Sequence, residues 1–191
     1  MEQTTTYKGC TIRIEQDQDA ESPRAWGTLG TMACAHRRYD LGDVQFHSAA
    51  ELEASIPADA IRLPLYLYDH SGLTMSTAPF SCPWDSGQVG YIYVSREKAR
   101  RENGWKVLTK KRIAQIEATL RSEVAAYDAY LQGSVYGYIA EGPNGEDIGS
   151  CWGFLVVNTA DETYMLEQAQ GEIDAWLAAR AEQAEQMLAL L

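Results

Sequence analysis

Residues 135–157 read VYGYIAEGPNGEDIGSCWGFLVV, and they decide the architecture. Val135 to Glu141 and Ile148 to Val157 carry the β-branched and aromatic side chains of strands. Between them, Gly142-Pro143-Asn144-Gly145 contains an Asn-Gly pair, whose tolerance of positive φ marks a tight hairpin turn. An antiparallel hairpin is therefore predicted, and helices flank it on both sides. Upstream, Thr109 caps a run in which Ile113, Ile116, Leu120, Val124, Tyr127 and Leu131 recur every three to four residues, and Gly133 stands where helices end. Downstream, Asp161 or Thr163 opens a second long helix with the stripe Leu166, Ala169, Ile173, Trp176, Leu177, Ala184, Met187 and Leu188. Strands grouped apart from helices predict an α+β fold: a mainly antiparallel sheet packed against two long helices, in a single domain over residues 1–191. One sheet is expected to hold 89–94, 135–141 and 148–157 and to pack on helices 109–132 and 162–188.

Further out, the same patterns continue. Tyr7 to Glu15 alternates, with Cys10, Ile12 and Ile14 on one face of a strand. Thr28 to His36 re-enters the core through Leu29, Met32 and Cys34. Ser48 and Glu51 form a capping-box pattern for a short helix that ends before Pro57. Arg62 to Tyr68 is a strand whose Pro64 favours an edge or a strand start. Val89 to Val94 (VGYIYV) is a strand, and Ser95 caps a helix that Gly104 ends. Between these last strands, His70 to Gly87 shows no period and reads as one long loop, with Phe80 and Trp84 as its apolar anchors. Such loops inside compact domains are usually functional or disordered, and the apolar residues Met75, Phe80, Cys82 and Trp84 favour the first.

The totals exclude several classes. No segment has the eighteen or more uncharged apolar residues needed to span a bilayer, and the N-terminal residues lack a signal-peptide pattern. The expected location is the cytoplasm. Net charge is −11, so the general field repels nucleic acid and no direct sequence-specific nucleic-acid binding is expected. The sign reverses only over 96–140, chiefly at Arg96–Arg101 and Lys110–Arg112, where a solvated helix face is the simple explanation. Cys10, Cys34, Cys82 and Cys151 form no close pair, which favours free thiols. A zinc site from Cys34, His36, Cys82 and Cys151 is the sharper alternative, but a lone C-x-H lacks the paired spacing of structural zinc. No metal or cofactor is expected. Phosphate-loop, G-x-S-x-G, H-E-x-x-H and helix-turn-helix patterns are absent.

Residues capable of chemistry concentrate at Gly30–Asp43 and at Tyr68–Gln88, with a shorter cluster at Gly149–Phe154. A binding surface is expected from His36, Arg37, Arg38, Asp69, His70, Trp84, Asp85 and Gln88. The alternative is catalysis, with Cys82 as nucleophile, His70 as base and Asp85 (or Asp69) orienting the imidazole. Cys82 precedes Pro83 rather than a helix, so it has no N-terminal dipole to activate it.

The strings GTMACAHRRYDLGD, LPLYLYDHSGLTMSTAPFSCPWDSGQVGYIYVS and GSCWGF resemble a family of accessory proteins carried by bacteriophages, prophages and plasmids. The likeness runs from about Tyr7 to Trp176. It implies a genetic setting and no mechanism. In that setting a small acidic chain is expected to be a non-enzymatic binding protein, and one candidate role is inhibition of a host restriction or CRISPR complex. Its partner is then a host protein or nucleoprotein. Glu146, Asp147, Asp161, Glu162, Glu167, Glu172, Asp174, Glu182 and Glu185 are candidate mimics of a phosphate array. The stripe through Met187, Leu188 and Leu191 is a candidate homodimer contact.

Overall fold

A computed structural model describes residues 3–190. In chain order the elements begin with β1 (Gln3–Tyr7), β2 (Cys10–Gln16), a short 3-10 turn (Pro23–Ala25), β3 (Thr31–Cys34) and β4 (Val44–Gln45). There follow α1 (Ala49–Ser55), β5 (Ile61–Asp69), β6 (Leu73–Ser76), β7 (Ser86–Val94) and α2 (Arg96–Glu102). The last are α3 (Lys110–Leu131), β8 (Val135–Glu141), β9 (Asp147–Leu155) and α4 (Thr159–Leu188). The fold is α+β with mainly antiparallel sheets, as expected. It holds two sheets, however, not the one predicted: β7 belongs to one and the β8–β9 hairpin to the other. Contacts divide the chain into two compact units, one from the two ends (up to Glu21 and from Gly133) and one from Ser22 to Gln132.

The unit built from the ends is a four-stranded sheet in the order β1-β2-β8-β9 with α4 on one face. Lys8 and Gly9 both have positive φ (49° and 83°), the signature of a two-residue hairpin turn, so the predicted strand 7–15 is instead two paired strands. Cys10, Ile12 and Ile14 do point to one face, as the alternation requires, where they meet Tyr138 and Ala140. Met165, Ala169 and Ile173 of α4, at successive four-residue steps, close that core. The helix starts earlier than predicted. Asn158 caps it, and Asp161, expected as a cap itself, completes a capping box by accepting from the Asn158 N–H at 3.0 Å. From Ala178 to Leu190 every residue is exposed, so the predicted stripe is buried only in its first half.

In the other unit, five strands run β4-β3-β7-β5-β6. One face carries α3, whose Ile116, Leu120, Val124 and Tyr127 pack with Met32, Leu65 and Ile92. The opposite face carries α1, whose Leu52, with the following Ile56, packs on Ala33. Pro64 sits where β5 faces only β7, because β6 pairs with β5 only from Tyr66 onward. That placement gives the proline its locally unpaired side. The predicted loop 70–87 is interrupted: β6 occupies 73–76 and β7 begins at Ser86. Four residues at a sheet edge are too few to display a period. Met75 is buried in β6, and its N–H donates to Asp128 Oδ1 at 2.7 Å.

Candidate functional site

The cleft arises where two strands part. β3 and β7 run together only because residue 90 is glycine: a Cβ there would stand 2.0 Å from the Ala33 carbonyl oxygen. The β5–β7 register slips by one residue between Leu65 and Tyr66, leaving Val89 as the extra residue. Its carbonyl accepts the Ala35 N–H at 2.8 Å, which ends the pairing with β3. Bulges of this kind re-aim neighbouring side chains. Here Gln88 and Gly87 line an open cleft of about 450 Å³. His36, Arg37, Arg38, Asp69, Trp84 and Asp85 complete its walls. Seven of the eight residues expected at a binding surface thus share one cleft, and the eighth, His70, contacts Asp85. A second cavity of about 730 Å³ shares Ala35, His36, Arg37, Gln88 and Val89 with the first. It extends to Phe46, His47 and Tyr91, which nothing in the sequence singled out.

The wall is held from within. His36 Nδ1 accepts the N–H groups of Arg38 and Tyr39, both at 3.3 Å. The ring stacks on Tyr39 with centroids 5.1 Å apart. Tyr39 in turn donates its hydroxyl to Asp69 Oδ1 at 3.2 Å, and Arg38 stands 3.6 Å from Asp69 Oδ2. Asp69 is tied to the other wall by its N–H, which donates to the Asp85 carbonyl at 2.8 Å. Tyr39 was missed in the sequence because a tyrosine beside two arginines carries no signal of its own. Arg37 is exposed and pairs with no acid among the described residues.

At the two ends of the 30–43 segment lies a polar hub that the sequence also concealed. The Arg24 side chain is only 6% exposed. It donates from Nε and Nη2 to the two Asp43 oxygens at 2.9 and 2.7 Å. Nη1 reaches Glu123 at 3.2 Å, and Nη2 also reaches the Gly30 carbonyl at 2.7 Å. Burial opposes the Arg24 charge, but the hydrogen bonds and charges of Asp43 and Glu123 outweigh it and hold its pKa above the ordinary value. Both acids also accept backbone N–H groups: Asp43 from Met32, and Glu123 from Leu29 and Gly30. The hub fixes both ends of the segment that carries His36, Arg37 and Arg38.

Cys82, Asp85 and His70 are in contact, in an order that differs from the catalytic alternative. Asp85 Oδ2 lies 3.2 Å from His70 Nδ1 and accepts from Cys82 Sγ at 3.8 Å. The carboxylate stands between thiol and imidazole, and no hydrogen bond joins Cys82 to His70 among the described residues. Ser86 Oγ donates to the Cys82 carbonyl, closing the turn. Trp84 was expected to anchor this loop. Instead its side chain projects into solvent, 91% exposed, and Phe80 alone packs inward, tilted against Tyr68 at 5.6 Å. His70 stacks on the same Tyr68 ring at 5.9 Å.

No three His, Cys, Asp or Glu side chains are grouped to hold a metal ion among the described residues. Cys34 is buried, and desolvation pushes its thiol up to about 12. Cys10 is also buried, Cys82 half-buried and Cys151 exposed, and none is bridged. In the Gly149–Phe154 cluster, Trp152 lies over Gly137, where a Cβ would meet the indole at 2.3 Å. Several proposed phosphate mimics have internal work: Asp174 binds Lys8 at 2.8 Å, Glu146 pairs with Arg180 at 3.3 Å, and Asp161 caps α4. Among the described residues no helix is long and apolar enough to cross a membrane. No protein-family model, curated protein or solved structure matches the chain.

Proposed function

We propose that this chain is a non-enzymatic binding protein that engages a macromolecular partner through the cleft between the end of β3 and the 80–88 segment. The observation that carries this reading is Trp84, a 91% exposed indole at the rim of a cleft whose other walls are braced by internal hydrogen bonds. An exposed indole is costly to leave in water. Aromatic anchors on rigid surfaces are also the residues that dominate binding energy at interfaces. The rim groups Arg37 and Gln88 supply the adjacent polar contacts. Given the resemblance to accessory proteins of mobile elements, the partner is a host protein or nucleoprotein in the bacterial cytoplasm, with a restriction or CRISPR complex the leading candidate.

The catalytic alternative rests on the contact among Cys82, Asp85 and His70. It lacks an imidazole at the thiol, which nucleophilic cysteines use as their base. Capture from a host lysate with wild-type protein, Trp84→Ala and Cys82→Ser separates the two. The binding reading expects the same stoichiometric partner with wild type and Cys82→Ser and its loss with Trp84→Ala. Retention by Trp84→Ala, together with loss of biological effect in Cys82→Ser, would favour the enzyme.

A further inference from the structure

We propose that the corner formed by α2 and the start of α3 binds the phosphate backbone of a nucleic acid without reading its bases. Eight of the chain's sixteen lysines and arginines fall within residues 96–112, against two acids. Three of the eight have structural tasks. Arg96 donates to the Asp59 carbonyl at 2.9 Å, Lys98 to the Thr28 carbonyl at 3.1 Å, and Arg112 to the Val107 carbonyl at 2.7 Å while covering the Trp105 ring. The other five, Arg100, Arg101, Lys106, Lys110 and Lys111, are exposed. Arg101 pairs only with its chain neighbour Glu102, and the remaining four pair with no acid among the described residues.

Arg100 and Arg101 lie in the last turn of α2, where cations suit the helix dipole, but local stability does not account for the charges that follow. The first turn of α3 carries Lys110, Lys111 and Arg112 and no acid, so cations crowd the positive end of the helix dipole, where they are unfavourable. An anion at the corner relieves that repulsion. A nucleic acid offers a charge every ~1.7 Å of duplex axis, a density suited to five side chains in so short a segment. An anionic membrane fits less well. The rest of the chain carries twenty-five acids against eight bases, a net charge that an extended anionic surface repels. The segment also lacks an apolar face to insert, since Val107 is its one exposed large hydrophobic residue. Trp105 is half-buried under Arg112, so no aromatic platform is presented for stacking bases. The expected contact is thus with backbone alone.

The test is fluorescence anisotropy of the full chain with labelled mixed-sequence duplexes of about 20 base pairs, from about 50 to 200 mM salt. Five phosphate contacts predict a log–log slope near −4.5, or roughly 500-fold weaker binding over that range. Lys106→Ala/Lys110→Ala/Lys111→Ala should flatten the slope by about 3 and act equally on unrelated sequences. Circular dichroism checks that the triple variant is folded. Trp84→Ala should bind duplex like wild type, because no residue of the corner lines the cleft. The proposal is overturned by no duplex binding at the lowest salt, or by an unchanged slope in the folded triple variant. Loss of duplex binding in Trp84→Ala, polyglutamate competing as well as unlabelled duplex, or preference for phosphatidylserine vesicles over duplex would each overturn it as well.

Discussion

Replacing Arg24 by alanine should be among the most damaging single changes in the 22–132 unit. The side chain is 6% exposed, and its partners Asp43 and Glu123 are 25% and 12% exposed. Removing the guanidinium leaves the two carboxylates with their backbone N–H donors but no counter-charge. Breaking a buried pair from one side costs about 3–5 kcal/mol. For a chain of this size that corresponds to a fall of roughly 10 °C in Tm. The exposed Arg62–Glu53 pair, at 43% and 45% exposure and 2.7 Å, is the internal control: Arg62→Ala should cost no more than about 1 kcal/mol. Replacing Arg24, Asp43 and Glu123 together with apolar residues should not rescue stability. The acids also serve the N–H groups of Leu29, Gly30 and Met32, which would be orphaned. Urea unfolding followed by tryptophan fluorescence and circular dichroism measures each case, and hydrogen exchange at those three amides localises the effect. A loss below about 1 kcal/mol for Arg24→Ala would show that solvent screens the hub and would refute the reasoning.

Other expectations follow from burial and titration. With a thiol reagent on the native protein, Cys151 should react fast and Cys82 more slowly, while Cys10 and Cys34, each 0% exposed, should react only on unfolding; rapid labelling of Cys34 would contradict its burial. Burial raises the Asp128 pKa in the folded state despite the bonds from Met75 and Gln132. A raised carboxyl favours its protonated form, so its contribution is fully present below the ordinary aspartate value and lost as pH rises through the folded pKa. Asp128→Asn should therefore gain stability relative to wild type between acid and neutral pH, and a pH-independent difference would refute this. At the far end of α4, Met187, Leu188 and Leu190 are 70%, 71% and 87% exposed, while Leu191 lies outside the described residues. Self-association there should be seen by light scattering as a concentration-dependent mass above 21.2 kDa, abolished by Met187→Glu/Leu188→Glu; a monomer at all concentrations would dispose of it.

What could be read in advance was whatever is local. Ser48, Ser95 and Thr109 all cap helices where the sequence placed them, because capping is settled within three residues of chain. The Asn-Gly hairpin and the Cys10/Ile12/Ile14 face are local in the same sense. Pairing between distant strands is not. β2 hydrogen-bonds β8 across more than a hundred residues, and no periodicity in either strand names the other, so two sheets were read as one. β1 escaped notice because its TTT run is exposed and shows no apolar alternation. The cleft residues were recognised by type and density, but their mutual arrangement depends on the Val89 bulge and on Gly90. The direction of Trp84 was misjudged because indoles are usually buried, and sequence alone does not reveal an indole left in solvent. Arg24, Asp43 and Glu123 looked like ordinary turn and helix-surface charges, being 19 and 99 positions apart from Arg24.

The most direct test of the account is the affinity of a purified captured partner for wild type, Trp84→Ala and Cys82→Ser, measured by calorimetry alongside the stability of each variant. Trp84 is 91% exposed, so its removal should change stability by no more than about 0.5 kcal/mol. As an interface anchor it should nevertheless cost at least ~2 kcal/mol of binding, about 30-fold in Kd, while Cys82→Ser binds like wild type. Unchanged affinity in Trp84→Ala, or abolished binding in a fully stable Cys82→Ser, would contradict the claim that this cleft is a binding surface anchored by its exposed indole.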